Sequence, residues 1–408
     1  MDEVHDSLNV REESDQSLWS AILLISGTCI GAGMLALPVV TGLSGFYPSL
    51  ITGALTWFFM VATGLLLLEV VLWMPDGANV LSITGHFLGR SGEVIAGILY
   101  IFLYYCLMVS YIAGGAPLFE KMLSGMFGIT VPSLWSLSLF TALFGLMVLW
   151  GTKFVGRINW LLMAGLIISF IALVAVGSTE VTEELLVFKN WGFTLVAAPT
   201  LVSAYGYHNI IPTLSTYMKR DAMKLRTAIF VGTALPFVVY TLWQWVILGS
   251  IAPEALQEAA TRGITISHLL QDVTANPWIS RCGMYFGFFA LVTSFLGVGL
   301  AMVDFLGDGF GSKRSGFSRV WLCLLVFIPP ALLAASYPGI FIKAIGVAGG
   351  FGEAILNGLI PVIMVWIGRY RLGLTSESSL FGGRMMLGLL AFCTIFVIAL
   401  ETMHLLAP

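Results

Sequence analysis

The sequence predicts an all-α polytopic membrane protein built around two broken helices. Three observations carry that prediction. Of its 408 residues, 58% are hydrophobic and 10% charged, which leaves too little polar sequence for soluble domains. The apolar residues fall in long runs, enough to cross a hydrocarbon layer of about 30 Å. Two of the runs, 19–41 and 192–214, are interrupted by glycine and proline where a spanning helix needs continuity. Paired interruptions at corresponding positions of two halves point to an inverted repeat with a binding site at the membrane midplane.

Residues 1–18 are hydrophilic and acidic (Asp2, Glu3, Asp6, Glu12, Glu13, Asp15). They lack the basic start of a signal peptide and read as a cytoplasmic tail. Residues 19–408 form one transmembrane domain. Its first repeat, about 19–177, holds spans at 19–41, 46–73, 94–118, 133–150 and 158–177. The second repeat, about 192–367, holds spans at 192–214, 228–250, 283–306, 319–335 and 339–367. An eleventh span, about 385–405, is an addition to the two repeats. Between spans, residues 75–92 read as a short interfacial helix. Residues 251–282 carry helix-like patterns at Pro253–Ala260 and Ile266–Val273. A loop of that length without structure is unusual, so it reads as a lid over an outer vestibule or as a plain connection.

Orientation follows from the basic residues. With the N-terminus inside, fourteen of nineteen Lys and Arg fall on the inner side, leaving only Lys121, Lys189, Arg262, Arg281 and Lys343 outside. The N-terminus is therefore expected in the cytoplasm and the C-terminus in the periplasm. The five cysteines lie in or beside apolar runs without CxxC spacing. They read as small buried hydrophobes, not as a disulfide framework or a metal site. The net charge of −3 says little about partners, and neither a cofactor nor nucleic acid is expected.

The first break reads Gly-Thr-Cys-Ile-Gly-Ala-Gly-Met-Leu-Ala-Leu-Pro from Gly27 to Pro38. Glycine costs about 1 kcal/mol relative to alanine inside a helix, and proline roughly 3 kcal/mol. In a bilayer the freed backbone groups persist only where protein or a water-filled cavity satisfies them. Gly27 and Gly31 also fit a small-xxx-small packing contact. The second break, from Thr200, reads Thr-Leu-Val-Ser-Ala-Tyr-Gly-Tyr-His-Asn-Ile-Ile-Pro. A half-helix starting near Gly33 presents N–H groups and a positive dipole end, which suits a carboxylate. One ending near Ser203 presents carbonyls, which suit an ammonium group. A zwitterionic amino acid carries both, and neither broken segment contains Asp, Glu, Lys or Arg.

These two stretches resemble the first- and sixth-span signatures of bacterial aromatic amino acid permeases. Leu-Val-Thr-Ser-Phe-Leu-Gly-Val at 291–298, running on to Asp304, and Gly349-Gly350-Phe351-Gly352-Glu353 extend the resemblance along the chain. The tyrosine-specific branch is the nearest in pattern. The resemblance places the chain in the amino acid–polyamine–organocation superfamily. It implies the LeuT-type fold of five plus five inverted spans, with spans one and six discontinuous. It also implies a bacterial inner-membrane importer of an aromatic amino acid, tyrosine before tryptophan, coupled to protons. The expected substrate-binding residues are Thr28, Gly31, Ala32, Gly33, Ser203, Tyr205, Gly206 and His208. The expected ion-coupling residues are Thr293, Ser294 and Glu353.

Each of these residues has a plainer reading. His208 titrates near neutrality, yet a lone histidine in a bundle is often hydrogen-bonded packing. Glu69 and Glu353 lie within spans, where an ionisable group is a functional hypothesis by default, although Glu69 is close to the inner interface. Asp304 and Asp308 read as helix-end or gate residues. Tyr100, Tyr104, Tyr105 and Tyr111 in the third span read as packing, with one or two available to line a pocket. Thr293 and Ser294 match paired hydroxyls that complete a sodium site in sodium-driven members of this fold, so sodium coupling stays open beside protons. The fifth span lacks the lysine that some proton-coupled or exchanging relatives place there. A channel fits poorly, because pores need rings of charge or carbonyl, usually from symmetric subunits. A membrane enzyme fits poorly too, because HExxH, GxSxG and Walker A patterns are absent.

Overall fold

Glycine and proline place the breaks, and the rest of the chain packs around them. In a computed structural model the described residues are 18–274, 276–311, 316–376, 379–380 and 382–406, and among them all regular structure is helical. The acidic tail through residue 17, and Lys313 and Arg314 of the charge count, lie outside the described residues.

The first span is a bent pair. Helix α1 (Leu18–Cys29) meets the segment Ala32–Thr41 at 43°. That segment is a 3₁₀ turn (Ala32–Leu35) followed by α2 (Leu37–Thr41). Two long helices follow, α3 (Phe46–Trp73) and α4 (Val80–Phe127). Helix α4 turns sharply at Gly89 (φ 71°), so the expected interfacial helix is its first two turns, capped by Asn79 on the Ser82 N–H. Helices α5 (Ser133–Trp150) and α6 (Thr152–Gly177) complete the first half, and a short α7 (Glu183–Val187) leads into the second.

The expected sixth span is in pieces: a 3₁₀ stretch (Trp191–Ala197), α8 (Ala198–Ala204), a 3₁₀ turn (His208–Ile210) and α9 (Ile211–Tyr217). Helix α10 (Ala222–Ser250) follows, then the short helices α11 (Pro253–Arg262) and α12 (Ile266–Val273), where the sequence pattern places them. Leu256 of α11 packs on Gly42, just past α2. The chain ends with α13 (Pro277–Gly309), α14 (Gly316–Ser336), a tenth segment and α17 (Gly383–Leu406). The tenth segment is α15 (Phe341–Val347), a π-helical stretch (Ala348–Leu359) and α16 (Ile360–Tyr370).

Nine helices among the described residues are long and apolar enough to cross a membrane, or ten with the bent first pair. The expected eleventh crossing depends on 191–217, whose pieces are each too short to cross alone. The all-helical build and the two broken segments agree with the expected LeuT-type arrangement.

Two features differ from the sequence reading. Pro38 and Pro212 do not break helices from within; each lies in the first turn of an outgoing half-helix, where its missing N–H costs nothing. The π-helical stretch was not expected at all. Glu69 is also settled structurally: its carboxylate takes Nε and Nη2 of Arg369 at 2.7 and 2.5 Å, both side chains nearly buried. The pair ties α3 to α16 at the end where Arg220 also donates to the Leu72 carbonyl.

Candidate functional site

The two breaks touch. A Cβ on Gly33 would stand 3.2 Å from Cα of Ala204, so glycine is what allows the approach. At the first break Gly31 is extended (φ −161°) and Ala32 donates its N–H to Ser294 Oγ at 3.0 Å. Ser294 thus docks α13 directly onto the break. At the second break Tyr205 and Tyr207 leave helical geometry (φ −99° and −139°) around Gly206.

The carbonyls freed by both breaks find partners on α10. The Tyr240 hydroxyl lies 2.6 Å from the Cys29 carbonyl and 2.8 Å from that of Ala204, the last residues of α1 and α8. The indole N–H of Trp243 donates to the Met34 carbonyl at 3.0 Å. Those interactions meet the requirement that buried backbone groups be paired. They also take carbonyls that the sequence reading had reserved for an ammonium group.

The charge at the breaks comes from elsewhere. Glu353, on the π-helical stretch, is buried and accepts a hydrogen bond from the Asn357 amide. Its carboxylate lies against Gly206, where an added Cβ would stand 2.6 Å from Oε1. Beside it is a cavity of about 100 Å³ bounded by Gly31, Ala32 and Gly33 of the first break and by Ser203 and Gly206 of the second. Thr28, Ser294, Glu353 and Asn357 reach it, as do Tyr100, Tyr104 and Tyr111 from α4. Tyr111 stands beside Ser294, and Tyr104 beside Asn209.

Tyr100, Tyr104 and Asn209 also line a vestibule of about 1080 Å³. It opens between Ala78–Ser82, α9 and the end of α13, and Phe305 packs its ring on both tyrosines. The neck between vestibule and cavity is therefore made of those few side chains.

Three expected residues are not on the cavity. His208 is fully buried behind the break, with Nε2 3.0 Å from the Thr63 hydroxyl and its ring against Tyr207. Tyr205 packs its ring on Tyr240 at 5.2 Å. Thr293 donates its hydroxyl to carbonyls of its own helix, Phe289 and Ala290. Sequence reasoning assigned no role to Asn209, which lies inside the second quoted break, or to Asn357, four residues past Glu353. Their signal was a polar amide inside an apolar span.

Comparison with known proteins places this geometry in context. Residues 14–401 match the model of the tryptophan/tyrosine permease family. The chain is 32% identical over 367 residues to the tryptophan-specific transport protein of Pseudomonas aeruginosa, covering 88% of each. It is also 32% identical over 355 residues to tyrosine-specific transport system 1 of Haemophilus influenzae, covering 85% of this chain and 87% of that one. In fold it is similar to the crystal structure of MhsT in complex with L-phenylalanine. That match has a TM-score of 0.65 at 15% identity, over 94% of this chain and 97% of the other.

Proposed function

The chain belongs to the tryptophan/tyrosine permease family, whose members are carriers and not enzymes, and on that premise we propose a secondary active importer of an aromatic amino acid. Tyrosine is the first substrate and a proton the coupling ion. The observation that carries the reading is the cavity where the two breaks meet, walled by three tyrosines and holding one buried carboxylate.

Each part of a zwitterionic aromatic substrate has a counterpart there. The N–H groups of Gly31 and Gly33, at the positive end of the second half-span, suit its carboxylate. Because Ala32 already donates to Ser294, the neighbouring glycines are the donors assigned. Glu353 suits the ammonium group, and the face made by Tyr100, Tyr104 and Tyr111 suits the ring. At about 100 Å³ the cavity is below the roughly 300–1,000 Å³ of ordinary ligand pockets. Tyr104 and Asn209 must therefore move for substrate to pass to the vestibule, which is assigned to the cytoplasmic side.

Proton coupling is favoured over sodium by the same residues. Glu353 is buried at the second break without an ion-pair partner among the described residues, and an isolated buried carboxylate ion is costly. Neutralising it with a proton, or with the substrate ammonium, makes its charge state depend on occupancy. For sodium, Ser294 is in place but its oxygen receives the Ala32 N–H, and the Thr293 hydroxyl faces its own helix. Tryptophan is the second substrate reading, supported by the relative named as tryptophan-specific.

Purified protein in proteoliposomes tests both parts. Counterflow of labelled tyrosine, tryptophan and phenylalanine should rank tyrosine first. An inward pH gradient in sodium-free buffer should then drive accumulation that a protonophore abolishes. Accumulation that needs external sodium and ignores the pH gradient would sink the proton assignment.

A further inference from the structure

A second buried carboxylate lies outside the site just described. Glu401 is on α17, the helix beyond the two repeats, and is only 2% exposed. It rests on glycines of the tenth segment: a Cβ on Gly346 would stand 3.0 Å from its Oε1, and one on Gly350 2.6 Å from its Cγ. Two side-chain-free positions one turn apart therefore make room for this one acid.

No ion pair among the described residues includes Glu401. The charged groups on the helices around it are accounted for elsewhere. On α3 and α16, Glu69 and Arg369 pair with each other at the opposite end of the bundle. Lys343 of α15 and His404 of α17 are exposed, Arg384 of α17 stacks on Tyr370 at the far end, and α8 carries no ionisable residue. Glu353 is three residues beyond Gly350, on the side of the π-helical stretch that faces Gly206. An acid buried in apolar surroundings without a cation neutralises itself with a proton.

The placement gives that proton a direction. Glu401 is five residues from the last described residue of its helix, level with Gly346 and Gly350, on the side of the bundle away from the vestibule. Glu353 is about one turn deeper along the same segment. Between the two, the backbone is π-helical, a rare form that is frequent at functional sites.

We propose that Glu401 is a proton-binding group on a route from the membrane face opposite the vestibule to Glu353, so that α17 takes part in coupling. This rests on the proton-symport reading above. Such a chain of intramembrane acids is what a proton relay requires.

The test uses the full chain in proteoliposomes, with Glu401→Gln to mimic the protonated acid and Glu401→Asp to restore a titratable group. The expected result is that Glu401→Gln keeps counterflow, which needs no net proton movement, but loses accumulation driven by a pH gradient. Glu401→Asp should recover part of that accumulation, with a displaced pH profile. Infrared difference spectra between acid and alkaline pH should lose one protonated-carboxyl band in Glu401→Gln and keep it in Glu401→Asp. Glu401→Gln with parental accumulation and an unchanged pH profile would overturn the proposal, as would an unchanged infrared difference. The infrared measurement needs no transport, so it decides on Glu401 even if counterflow of the parent protein shows that the substrate reading is wrong.

Discussion

Gly33 is the residue on which the two breaks depend. Its missing side chain lets the first broken segment close to within a Cβ contact of 3.2 Å from the Ala204 backbone. Backbone cannot yield as a flexible side chain can, so any larger residue must push the breaks apart. Neighbouring Gly31 faces the Ser294 hydroxyl and Gly206 faces the Glu353 carboxylate, partners that can rotate. Gly33→Leu is therefore expected to insert and fold but to lose counterflow, while Gly31→Ala keeps a measurable fraction. Both are checked by size-exclusion profile and exchange of labelled tyrosine. Parental exchange by Gly33→Leu would mean that the carboxylate is held elsewhere. His208 makes the converse point. It is the one histidine in either broken segment, yet its ring lies behind the break against Thr63 and Tyr207. Chemistry alone drew attention to it, and only the direction of its side chain decides where it belongs.

At the level of elements, α10 holds the site open. Its Tyr240 hydroxyl shares its one hydrogen between the carbonyl ends of α1 and α8, and Trp243 donates to Met34. Leaving a buried acceptor unsatisfied costs about 1–3 kcal/mol. Tyr240→Phe keeps the ring packing on Tyr205 and removes only the hydroxyl. It should lower the unfolding temperature in detergent and slow exchange more than Thr241→Ala, one residue away with its hydroxyl bonded within its own helix. Equal effects of the two changes would show that the clamp contributes nothing special. The breaks were legible in the sequence because glycine and proline act on their own backbone. The clamp was not, because Tyr240 and Trp243 sit in an apolar run and look like interfacial aromatics until their partners are known. The π-helical stretch was half legible. Gly349, Gly350 and Gly352 announced close packing around Glu353, and they meet α8, α17 and α4 respectively. Nothing in the sequence said that the hydrogen-bond register would shift.

For the whole molecule, the difference between a vestibule of about 1080 Å³ and an inner cavity of about 100 Å³ describes a carrier open to one side. On that side are Thr213 of α9 and the end of α13; on the other, α11 and α12 cover α2 and α13. We propose that the vestibule side is cytoplasmic, because along the sequence the charge rule counts fourteen of nineteen basic residues in the inner loops and tail. The rule concerns insertion and the cavity concerns transport, so their agreement on one side can be tested independently of activity. In a background with the five native cysteines replaced, Thr213→Cys and Gln257→Cys report opposite faces, and both positions are exposed. An impermeant maleimide should label Gln257→Cys in right-side-out vesicles and Thr213→Cys only in inside-out vesicles. Labelling of both from one side would contradict the arrangement of α9 and α11 across the membrane. Reversed labelling would leave that arrangement intact and overturn the orientation. Substrate adds a further reading: tyrosine that closes the Tyr104–Asn209 neck from the vestibule should slow labelling of Thr213→Cys and leave Gln257→Cys unaffected. An equal rate at Thr213→Cys with and without tyrosine would mean that the neck does not move with substrate, and alternating access would need a different gate.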